Sequence, residues 1–418
     1  MKKQILMIGG GAAGLMAACA AADYDGRDRV QITVLEKNEK CGRKLMITGK
    51  GRCNVTNNCD LDTLIANVPR NGKFLYSAFS HFLPQDTMAF FESLGVPLKT
   101  ERGKRVFPVS DKASDIVDAL VKRTKMLGVR TLHATAEQIV VQDGQVSGVR
   151  LADGSVLPAD CVILATGGLS YPLTGSTGDG YRMAAELGHT VTAPKPSLVP
   201  LVAHEGFCSR LAGLSLKNVT LSVFREGRKK PVFQEQGELL FTHTGLSGPL
   251  TLSASAQMRE MGKKTYTAVI DLKPALSVEQ LDRRVLRDFE EEKNKDLINA
   301  LEHLLPKSLI PVIIGLAGMD PHRKVNQISR RERQALEEQI KGLTLHITGF
   351  APMEEAIITS GGVSVKEVDP ATMESKLVKG LYFAGEILDV DAYTGGFNLQ
   401  IAFSTAFAAG SNCLEERT

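Results

Sequence analysis

The sequence predicts an α/β protein whose first domain is built from two separate stretches of chain around an inserted domain. Near the N-terminus, a short apolar strand runs through several glycines into an Ala-rich helix and a second strand. The segment 198–342 differs from it, with strand-like runs followed by charged helices, and strand-like sequence returns after it. We therefore expect the α/β domain over 1–192 and 344–418, and an insert over 193–343 that is β-rich to 274 and helical from 275.

Length and composition indicate a globular protein. The chain has 418 residues, 43% hydrophobic and 23% charged, which excludes a disordered or fibrous protein. Its net charge of +3 gives no general reason to expect nucleic acid or a membrane as partner. Seven cysteines, an odd number, do not suggest a disulfide framework, and no apolar run approaches the ~18 residues of a membrane span. We expect a cytoplasmic protein with an intact N-terminus and make no prediction of its oligomeric state.

The N-terminal unit carries a dinucleotide fingerprint. Residues 4–9 predict a buried strand, Ala12 to about Tyr24 a helix, and Gln31 to Glu36 a second strand. The glycines of Gly9-x-Gly11-x-x-Gly14 permit a tight turn, close approach of a pyrophosphate and close packing of helix on strand. Glu36 ends the second strand, where an acidic residue binds ribose hydroxyls.

The following elements are predicted from periodicity and turn residues. Residues 84–94 and 112–127 are helix-like, and 131–168 predicts a three-stranded meander whose last strand is Cys161–Ala165. In the insert we expect strands at 198–204, 215–224, 231–241 and 265–272, a helix from about Pro249, and capping boxes at Ser277-x-x-Gln280 and Ser329-x-x-Glu332. A last helix runs from Asn398 to about Leu414.

The C-terminal segment indicates which dinucleotide binds. A meander that ends in Ala-Thr-Gly-Gly, followed by a C-terminal segment that rejoins the first domain, is typical of two-dinucleotide-type flavoproteins. In the motif 380–386, Glu386 is placed to bind ribityl hydroxyls. The helix from about Asn398 would direct its dipole at the N1/O2 edge of the flavin, where negative charge develops on reduction.

Five motifs together resemble one flavoprotein family, which includes aminoacetone oxidase and the bile-acid 3-dehydro-Δ4,6-reductase. They are 42–44 (GRK), 49–57 (GKGRCNVTN), 240–249 (LFTHTGLSGP), 372–376 (TMESK) and the segment 380–400. The resemblance spans essentially the whole chain. It implies non-covalent FAD, a Rossmann-type FAD domain and an inserted β-barrel-plus-helix domain.

The fingerprint and the resemblance together give a set of candidate cofactor-binding residues. They are Gly9, Gly11, Ala12, Ala13, Gly14, Glu36, Lys37, Gly42, Arg43, Lys44, Thr48, Gly51, Arg52, Asn54, Ala136, Ala165, Thr166, Gly167, Gly385, Glu386, Asn398, Leu399 and Gln400. Among them Arg43, Lys44 and Arg52 are interpreted as contacts to pyrophosphate or flavin oxygens, against the alternative of a solvated basic loop.

The candidate catalytic residues are His243, with its neighbour Thr244, and Tyr393. His243 lies in the family motif 240–249 and would act as proton donor or polar clamp over the flavin, against the alternative of a histidine held by a strand-to-helix turn. A redox disulfide between Cys53 and Cys59 is disfavoured, because five residues separate them where four are usual, and Cys41 is interpreted as a free thiol. No histidine or cysteine spacing predicts a metal site.

Two basic clusters, 225–230 (REGRKK) and 330–333 (RRER), raise the question of RNA binding. They are interpreted as solvated surface, so no nucleic acid is expected as partner.

The predicted function is FAD-dependent oxidoreduction of a small organic substrate by hydride transfer between its carbon and flavin N5. Two directions stay open: NAD(P)H-linked reduction of a conjugated carbonyl compound, and O2-dependent oxidation of a small amine. A flavin-containing RNA-binding or regulatory protein is the alternative from another class. NAD(P)H, if used, is expected to bind transiently, because Gly175-x-x-Gly178-x-Gly180 lacks the spacing of a second fingerprint.

Overall fold

The computed structural model describes residues 2–23 and 30–414. The chain forms two compact units. Unit 1 consists of Met1–Ser197 and Met353–Thr418, and unit 2 consists of Leu198–Pro352. In the described residues no helix is both long enough and apolar enough to cross a membrane.

The strands and helices are numbered in chain order. The strands are β1 (Lys3–Ile8), β2 (Val30–Glu36), β3 (Thr56–Asn57), β4 (Leu98–Glu101), β5 (Arg105–Pro108), β6 (Arg130–His133), β7 (Ala136–Gln142), β8 (Gln145–Leu151), β9 (Val156–Pro158), β10 (Cys161–Leu164), β11 (Val191–Ser197), β12 (Leu201–Ala203), β13 (Ser215–Arg225), β14 (Phe233–Phe241), β15 (Gly245–Ser247), β16 (Tyr266–Asp271), β17 (Leu343–Phe350), β18 (Ile358–Val363) and β19 (Leu381–Phe383). The helices are α1 (Ala12–Ala22), α2 (Arg43–Ile47), α3 (Leu61–Ala66), α4 (Tyr76–His81), α5 (Pro84–Ser93), α6 (Ala113–Met126), α7 (Asp179–Glu186), α8 (Phe207–Arg210), α9 (Pro249–Gln257), α10 (Val278–Glu291), α11 (Leu297–Ala300), α12 (Ile310–Leu316), α13 (Arg330–Lys341) and α14 (Phe397–Asn412).

A parallel sheet forms the centre of unit 1. Its order is β19-β10-β1-β2-β6, and every neighbouring pair is parallel. The strand β10 is buried along its whole length, as expected where helices cover both faces of a parallel sheet. Because β19 comes from the C-terminal segment and pairs with β10, the two stretches of unit 1 share one sheet. The predicted α/β class with a Rossmann-type sheet is confirmed.

The helices α1 and α14 pack closely because their contact is made by small residues. A Cβ on Gly410 would lie 2.4 Å from the backbone oxygen of Ala17 and 2.9 Å from the Cβ of Ala20. The Ala-rich α1 is buried around almost its whole circumference. The sequence predicts that α1 continues to about Tyr24; the helix ends at Ala22, and Tyr24 lies outside the described residues.

The predicted meander is only partly correct. Three antiparallel strands, β7, β8 and β9, form a separate sheet over 136–158, whereas the segment assigned as the last meander strand is β10 of the parallel sheet. Its apolar run Cys161–Leu164 pairs in parallel with β1 on one side and β19 on the other. Alternation and Asp-Gly turns indicate a meander, but they do not show where the chain leaves it.

Unit 2 contains a closed barrel and a group of helices. The barrel order is β12-β15-β14-β13-β16-β17, all antiparallel, and α10 to α13 follow β16 in the chain. The expected barrel-plus-helix insert is confirmed. Both predicted capping boxes are present, with Ser277 and Ser329 accepting from the backbone of Gln280 and Glu332.

The end of the insert lies later in the chain than the sequence indicates. The sequence predicts that residues from 344 onward belong to the first domain, but β17 (Leu343–Phe350) pairs with β16 and β12 and closes the barrel. The return to unit 1 therefore comes at Met353, and the first boundary lies after Ser197.

A buried histidine joins the segment before β11 to the segment before β19. His189 is 3% exposed, and its Nε2 lies 2.9 Å from Ser375 Oγ and its Nδ1 3.3 Å from Glu367 Oε2. The edge of the ring contacts Phe383. Burial lowers the pKa of His189, although Glu367 acts in the opposite direction.

The lowered pKa of His189 predicts a loss of stability in mild acid. Below a pH of about 6.5 the unfolded chain takes up a proton that the folded protein resists, so the free energy of unfolding falls as pH falls, by at most ~1.4 kcal/mol per pH unit for one proton. Urea unfolding between pH 7.5 and pH 5.5 should show a steeper loss for the wild type than for His189→Gln, which does not titrate. Equal slopes in the two proteins would contradict this prediction.

Candidate functional site

The start of α1 is open on one side because of the glycines around it. Gly9 has a φ of +108°, and a Cβ on Gly14 would lie 1.8 Å from Gly9 O, so only glycine lets α1 lie this close to the end of β1. A Cβ on Gly11 would instead meet nothing within 4 Å. The first N–H groups of a helix have no intrahelical acceptor and attract anions. A pyrophosphate therefore fits on the open side of Gly11.

Glu36, at the end of β2, stabilises this turn by accepting a hydrogen bond from it. Its Oε2 accepts the Gly10 N–H at 2.8 Å, and its Oε1 accepts the Asn38 N–H at 2.8 Å and Asn38 Nδ2 at 2.7 Å. Because a carboxylate oxygen can accept two hydrogen bonds, Oε2 has capacity left for a hydroxyl. The arrangement is compatible with the predicted contact between Glu36 and a ribose.

Several other predicted residues meet at the same turn. Gly42 donates its N–H to Gly10 O at 2.9 Å, and Ala165 donates its N–H to Ile8 O at 2.9 Å. A Cβ on Gly385 would lie 2.9 Å from the Cβ of Ala13, so the loop after β19 lies against the start of α1. The structure thus brings together, within unit 1, candidates that are up to 376 positions apart in the chain, from Gly9 to Gly385.

A lysine and a carboxylate form a second part of the site. Lys44 Nζ lies 2.5 Å from Glu386 Oε2 and donates to Ser170 Oγ at 2.7 Å. Glu386 Oε1 accepts Ser170 Oγ at 3.0 Å and the Thr359 N–H at 2.8 Å. Both ionic side chains are about one-fifth exposed, so they remain within reach of a ligand. Polar groups in this arrangement suit the hydroxyls of a ribityl chain.

The loop that leads into α14 is fixed by an ion pair between a partly exposed arginine and a buried aspartate. Arg70 donates two hydrogen bonds to the Asp389 carboxylate, one from Nε to Oδ1 and one from Nη2 to Oδ2 at 2.7 Å. Asp389 is 5% exposed. Asn71 Nδ2 donates to Asp389 O at 2.6 Å, and Tyr393 donates its N–H to Asn67 O at 3.0 Å. Segment 67–71 therefore holds the loop that carries the candidate Tyr393.

The three candidates in the first turn of α14, Asn398, Leu399 and Gln400, have different surroundings. The side chain of Asn398 accepts the Ala392 N–H at 2.9 Å and donates to Ala392 O at 2.8 Å. Gln400 is 0% exposed, and its amide bonds to Thr56, Thr87, Phe82 and Ser404. Both side chains therefore shape the loop, and Leu399 is half-buried. What this turn offers a ligand is its backbone N–H groups and the positive end of the helix.

The basic candidates have protein partners of their own. Arg43 Nη1 donates to Asn38 Oδ1 at 2.8 Å, and Lys37 Nζ lies 2.5 Å from Asp179 Oδ2. Arg52 pairs with Glu101 and Asp111 at 2.5 Å each, and its guanidinium lies 4.1 Å from the centre of the Phe107 ring. For Arg52 these contacts support a role in holding 49–52 against β4 and β5.

The remaining candidates are spread over the first stretch of unit 1. Thr48 donates its hydroxyl to Leu45 O at 2.7 Å, Gly51 has a φ of +82° with open space around its Cβ position, and Ala136 is buried at the start of β7. Gly167 has a φ of +74°. Within the described chain, the buried oxygens Asn54 Oδ1 and Thr166 Oγ1 have no hydrogen-bond partner. Unpartnered buried oxygens at two of the predicted cofactor-binding positions are consistent with a polar ligand.

The cysteines are thiols. All seven lie in the described part of the chain and are free, so the alternative of a Cys53–Cys59 disulfide is absent from this structure. Burial raises the pKa of Cys53 to about 12, and burial together with Glu36 raises that of Cys41 to about 11. Among the described residues, no cluster of three or more His, Cys, Asp or Glu is placed to hold a metal ion.

The candidates His243 and Thr244 belong to unit 2. They form the turn between β14 and β15, and both side chains are exposed. The turn is held by backbone hydrogen bonds: Thr242 donates its N–H to Gly245 O at 2.9 Å, and Ala203 of β12 donates its N–H to Thr244 O at 2.9 Å. An exposed imidazole on a fixed turn is accessible to a substrate.

Four residues of the site were not found from the sequence. Asn38 joins Glu36 to Arg43, while Ser170 and Thr359 hold Glu386. Tyr171 has a φ of +52° and lies with its ring centre 6.0 Å from Lys44 Nζ, and burial raises its pKa. Ser170 and Tyr171 follow the Gly-Gly pair after β10, which was a usable signal, whereas nothing in the sequence near Thr359 indicates its contact with Glu386.

Fold and site together define a Rossmann-type flavoprotein. The chain belongs to the HI0933-like family, since the family's Rossmann-domain model matches residues 3–412. It is 32% identical to the 3-dehydro-bile acid Δ(4,6)-reductase of Clostridium scindens, over 99% of each chain. It is also 30% identical to the ribosomal RNA dihydrouridine synthase of Escherichia coli, over 99% of this chain and 98% of that protein. The family is one of flavoprotein oxidoreductases.

Solved structures share the fold at much lower identity. The 3-ketosteroid-Δ4-(5α)-dehydrogenase of Rhodococcus jostii superposes with a TM-score of 0.54 at 15% identity, covering 99% of this chain and 97% of that one. The FrdA chain of Escherichia coli quinol fumarate reductase gives a TM-score of 0.50 at 16% identity, covering 99% of this chain and 70% of that one. These similarities establish the Rossmann-type FAD-binding fold.

The Glu36 contact can be tested by the affinity for FAD. Glu36→Ala should weaken FAD binding by ~10- to 100-fold, because a hydrogen bond to a charged acceptor contributes ~1.5–3 kcal/mol. Titration of the apoprotein with FAD measures this change, with Glu39→Ala, an exposed neighbour of the same charge, as the control. Unchanged affinity in Glu36→Ala would remove Glu36 from the site.

Proposed function

We propose that this protein is an FAD-dependent reductase that saturates a carbon–carbon double bond conjugated to a carbonyl group, with NAD(P)H as electron donor. The observation that carries the cofactor part is the open side of Gly11 at the start of α1, next to Glu36 and to the loop containing Gly385. That arrangement fits an adenosine diphosphate group.

The relatives support the reaction class. One is a Δ(4,6)-reductase of a 3-dehydro-bile acid and others are dihydrouridine synthases. A 3-oxo-Δ4,6 steroid and a uracil ring differ in size and polarity, but both contain a double bond conjugated to a carbonyl. Reduction of such a bond is therefore the chemistry that these relatives have in common, and it is the chemistry we assign to this chain.

The chain's residues would hold FAD along its whole length. The N–H groups of α1 would bind the pyrophosphate, Glu36 the ribose, Lys44 and Glu386 the ribityl chain, and the start of α14 the N1/O2 edge of the ring. Bound FAD would supply the hydride that reduces the β carbon of the substrate.

The reaction also consumes a proton, which we assign to side chains of this protein. Hydride addition at the β carbon leaves negative charge on the carbonyl oxygen, and the α carbon then takes up one proton, which completes the saturated product. His243, through a ring nitrogen, and Tyr393, through its hydroxyl, are the proposed donors. Donation by a histidine requires its protonated form and restoration of that proton from solvent after each turnover.

A uridine in RNA is the second candidate substrate. It is favoured by the ribosomal RNA dihydrouridine synthases of Escherichia coli and Haemophilus influenzae, which are 30% and 32% identical to this chain over 99% and 96% of it. The reduction would follow the same course, with the uracil double bond in place of a small-molecule enone.

The electron donor can be identified by anaerobic stopped-flow mixing of the holoenzyme with NADH and with NADPH. We expect one of them to bleach the flavin absorbance, and a conjugated substrate added afterwards to restore it. A fingerprint such as that of β1 and α1 does not recur at Gly178, where α7 follows a turn at Pro172–Thr174 and not a strand. NAD(P)+ should therefore leave before the substrate binds, with ping-pong kinetics.

Two results would contradict that course. A stable ternary complex of enzyme, NAD(P)H and substrate would show a separate nicotinamide site. A flavin that NADH and NADPH leave oxidised, but that aminoacetone reduces and oxygen reoxidises, would identify an amine oxidase and overturn the proposed direction.

If His243 donates the proton, its removal should slow turnover and leave cofactor binding unchanged. His243→Ala should retain bound FAD and flavin reduction by NAD(P)H, yet reduce the conjugated substrate ~10²–10⁴-fold more slowly, the usual contribution of one acid–base group. His204→Ala, another exposed histidine of unit 2, is the control. Normal turnover in His243→Ala would assign His243 to the turn alone.

A further inference from the structure

One end of the barrel in unit 2 carries a concentrated positive charge. The tip of the β13–β14 hairpin, residues 225–230, lies beside the loop 258–265 that precedes β16. The two segments adjoin because β13 pairs with β16, with Arg225 opposite Tyr266, and because Glu226 donates its N–H to Thr265 O at 3.0 Å. We call these two segments the barrel-end basic patch.

The patch contains far more cations than carboxylates. Its seven cationic residues are Arg225, Arg228, Lys229, Lys230, Arg259, Lys263 and Lys264, and its two acidic residues are Glu226 and Glu260. This excess is larger than the net charge of +3 of the entire chain. The remainder of the protein is therefore slightly acidic, and the positive charge is localised at this end of the barrel.

Internal ion pairs leave most of this charge exposed. Glu260 is engaged by Arg225, and the Glu226 carboxylate lies 3.4 Å from the Thr265 hydroxyl. The lysines at 229, 230, 263 and 264 and Arg228 are all exposed. None of the residues of the patch is an exposed large hydrophobic side chain of the kind that inserts into a bilayer.

The other basic cluster, at the start of α13, is balanced by its neighbours. Arg333 Nε lies 2.6 Å from Asp282 Oδ1, and Glu332 accepts from Arg323. Arg330 and Arg331 are exposed, but they lie on a helix that also carries Glu337 and Glu338. The two clusters look alike in the sequence, and only the folded chain shows that the first is enlarged by Arg259, Lys263 and Lys264.

We infer that the barrel-end basic patch binds the phosphate backbone of RNA. Exposed lysines and arginines in a dense group, without an apolar anchor, suit a polyanion whose charges are regularly spaced. The choice of RNA rests on the second form of the proposed function, in which the reduced ring is a uridine. The patch then supplies affinity for the strand, and the flavin site supplies the chemistry.

The test compares two triple charge reversals in the holoenzyme. The first is Arg228→Glu, Lys229→Glu and Lys230→Glu; the second, with the same change in net charge, is Lys307→Glu, Arg330→Glu and Arg331→Glu in the helical part of unit 2. Fluorescence anisotropy measures binding of a fluorescein-labelled ribosomal RNA hairpin between about 50 and 200 mM salt, where each lost phosphate contact lowers the log–log salt slope by just under 1.

We expect the first variant to bind RNA at least tenfold more weakly, with a slope shallower by about 2 to 3, and the second to bind nearly as the wild type does. Equal losses in the two variants, or none in the first, would overturn the inference. Binding of the wild type to phosphatidylglycerol vesicles but not to RNA would overturn it in favour of a membrane.

Flavin reduction by NAD(P)H separates this inference from the proposed function. Both triple variants should retain FAD and be reduced at the wild-type rate, because none of their substitutions lies among the proposed cofactor-binding or catalytic residues. If the wild type binds RNA through the patch but reduces no conjugated carbonyl compound, the proposed reaction fails and the patch assignment stands. If the wild type reduces a small enone but its RNA binding is insensitive to substitutions in the patch, the patch assignment fails and the proposed reaction stands.

Discussion

The close approach of α1 to the end of β1 is the constraint on which the site depends. The backbone oxygen of Gly9 occupies the place that a side chain at position 14 would need, 1.8 Å from its Cβ. This contact sets where the helix begins and leaves the side of Gly11 open. Glu36, Gly42 and Ala165 then bond to the same turn or to the strand that precedes it. A helix terminus directed at an open space can bind a diphosphate, as proposed for this turn.

The two chain segments of unit 1 are held together by polar contacts as well as by the shared sheet. Lys44 and Ser170 from the first segment bond to Glu386 from the second. The ion pair between Arg70 and buried Asp389 does the same a few residues further on. Loss of Arg70 would be costly, because it would leave the buried Asp389 carboxylate without a compensating charge. The loop between β19 and α14 is thereby fixed without a ligand, which favours a preformed flavin site.

Local patterns predicted local structure well. The glycine spacing at 9–14, the capping boxes at Ser277 and Ser329 and the apolar run of β10 each determine a few neighbouring residues. Such local patterns do not predict contacts between segments that are distant in the chain. The sequence pattern places β10 in the meander because its partner β19 comes more than 200 residues later in the chain. It separates β17 from the barrel because the partners of β17, β16 and β12, come more than 70 residues before it. The partners of Glu386 and the lysines that enlarge the barrel-end basic patch likewise appear only after folding.

The open side of Gly11 allows binding of the FAD pyrophosphate at this turn to be tested without interference from unfolding. Gly11 has a φ of −84°, which alanine adopts without strain, and its Cβ would contact no protein atom within 4 Å. Gly11→Ala should therefore leave the thermal stability of the apoprotein unchanged, yet weaken FAD binding at least tenfold in a fluorescence titration, because the new methyl group occupies the space of the pyrophosphate. Gly14→Ala, in contrast, should destabilise the apoprotein itself. Full FAD affinity in a stable Gly11→Ala protein would contradict the assignment of this turn as the pyrophosphate site.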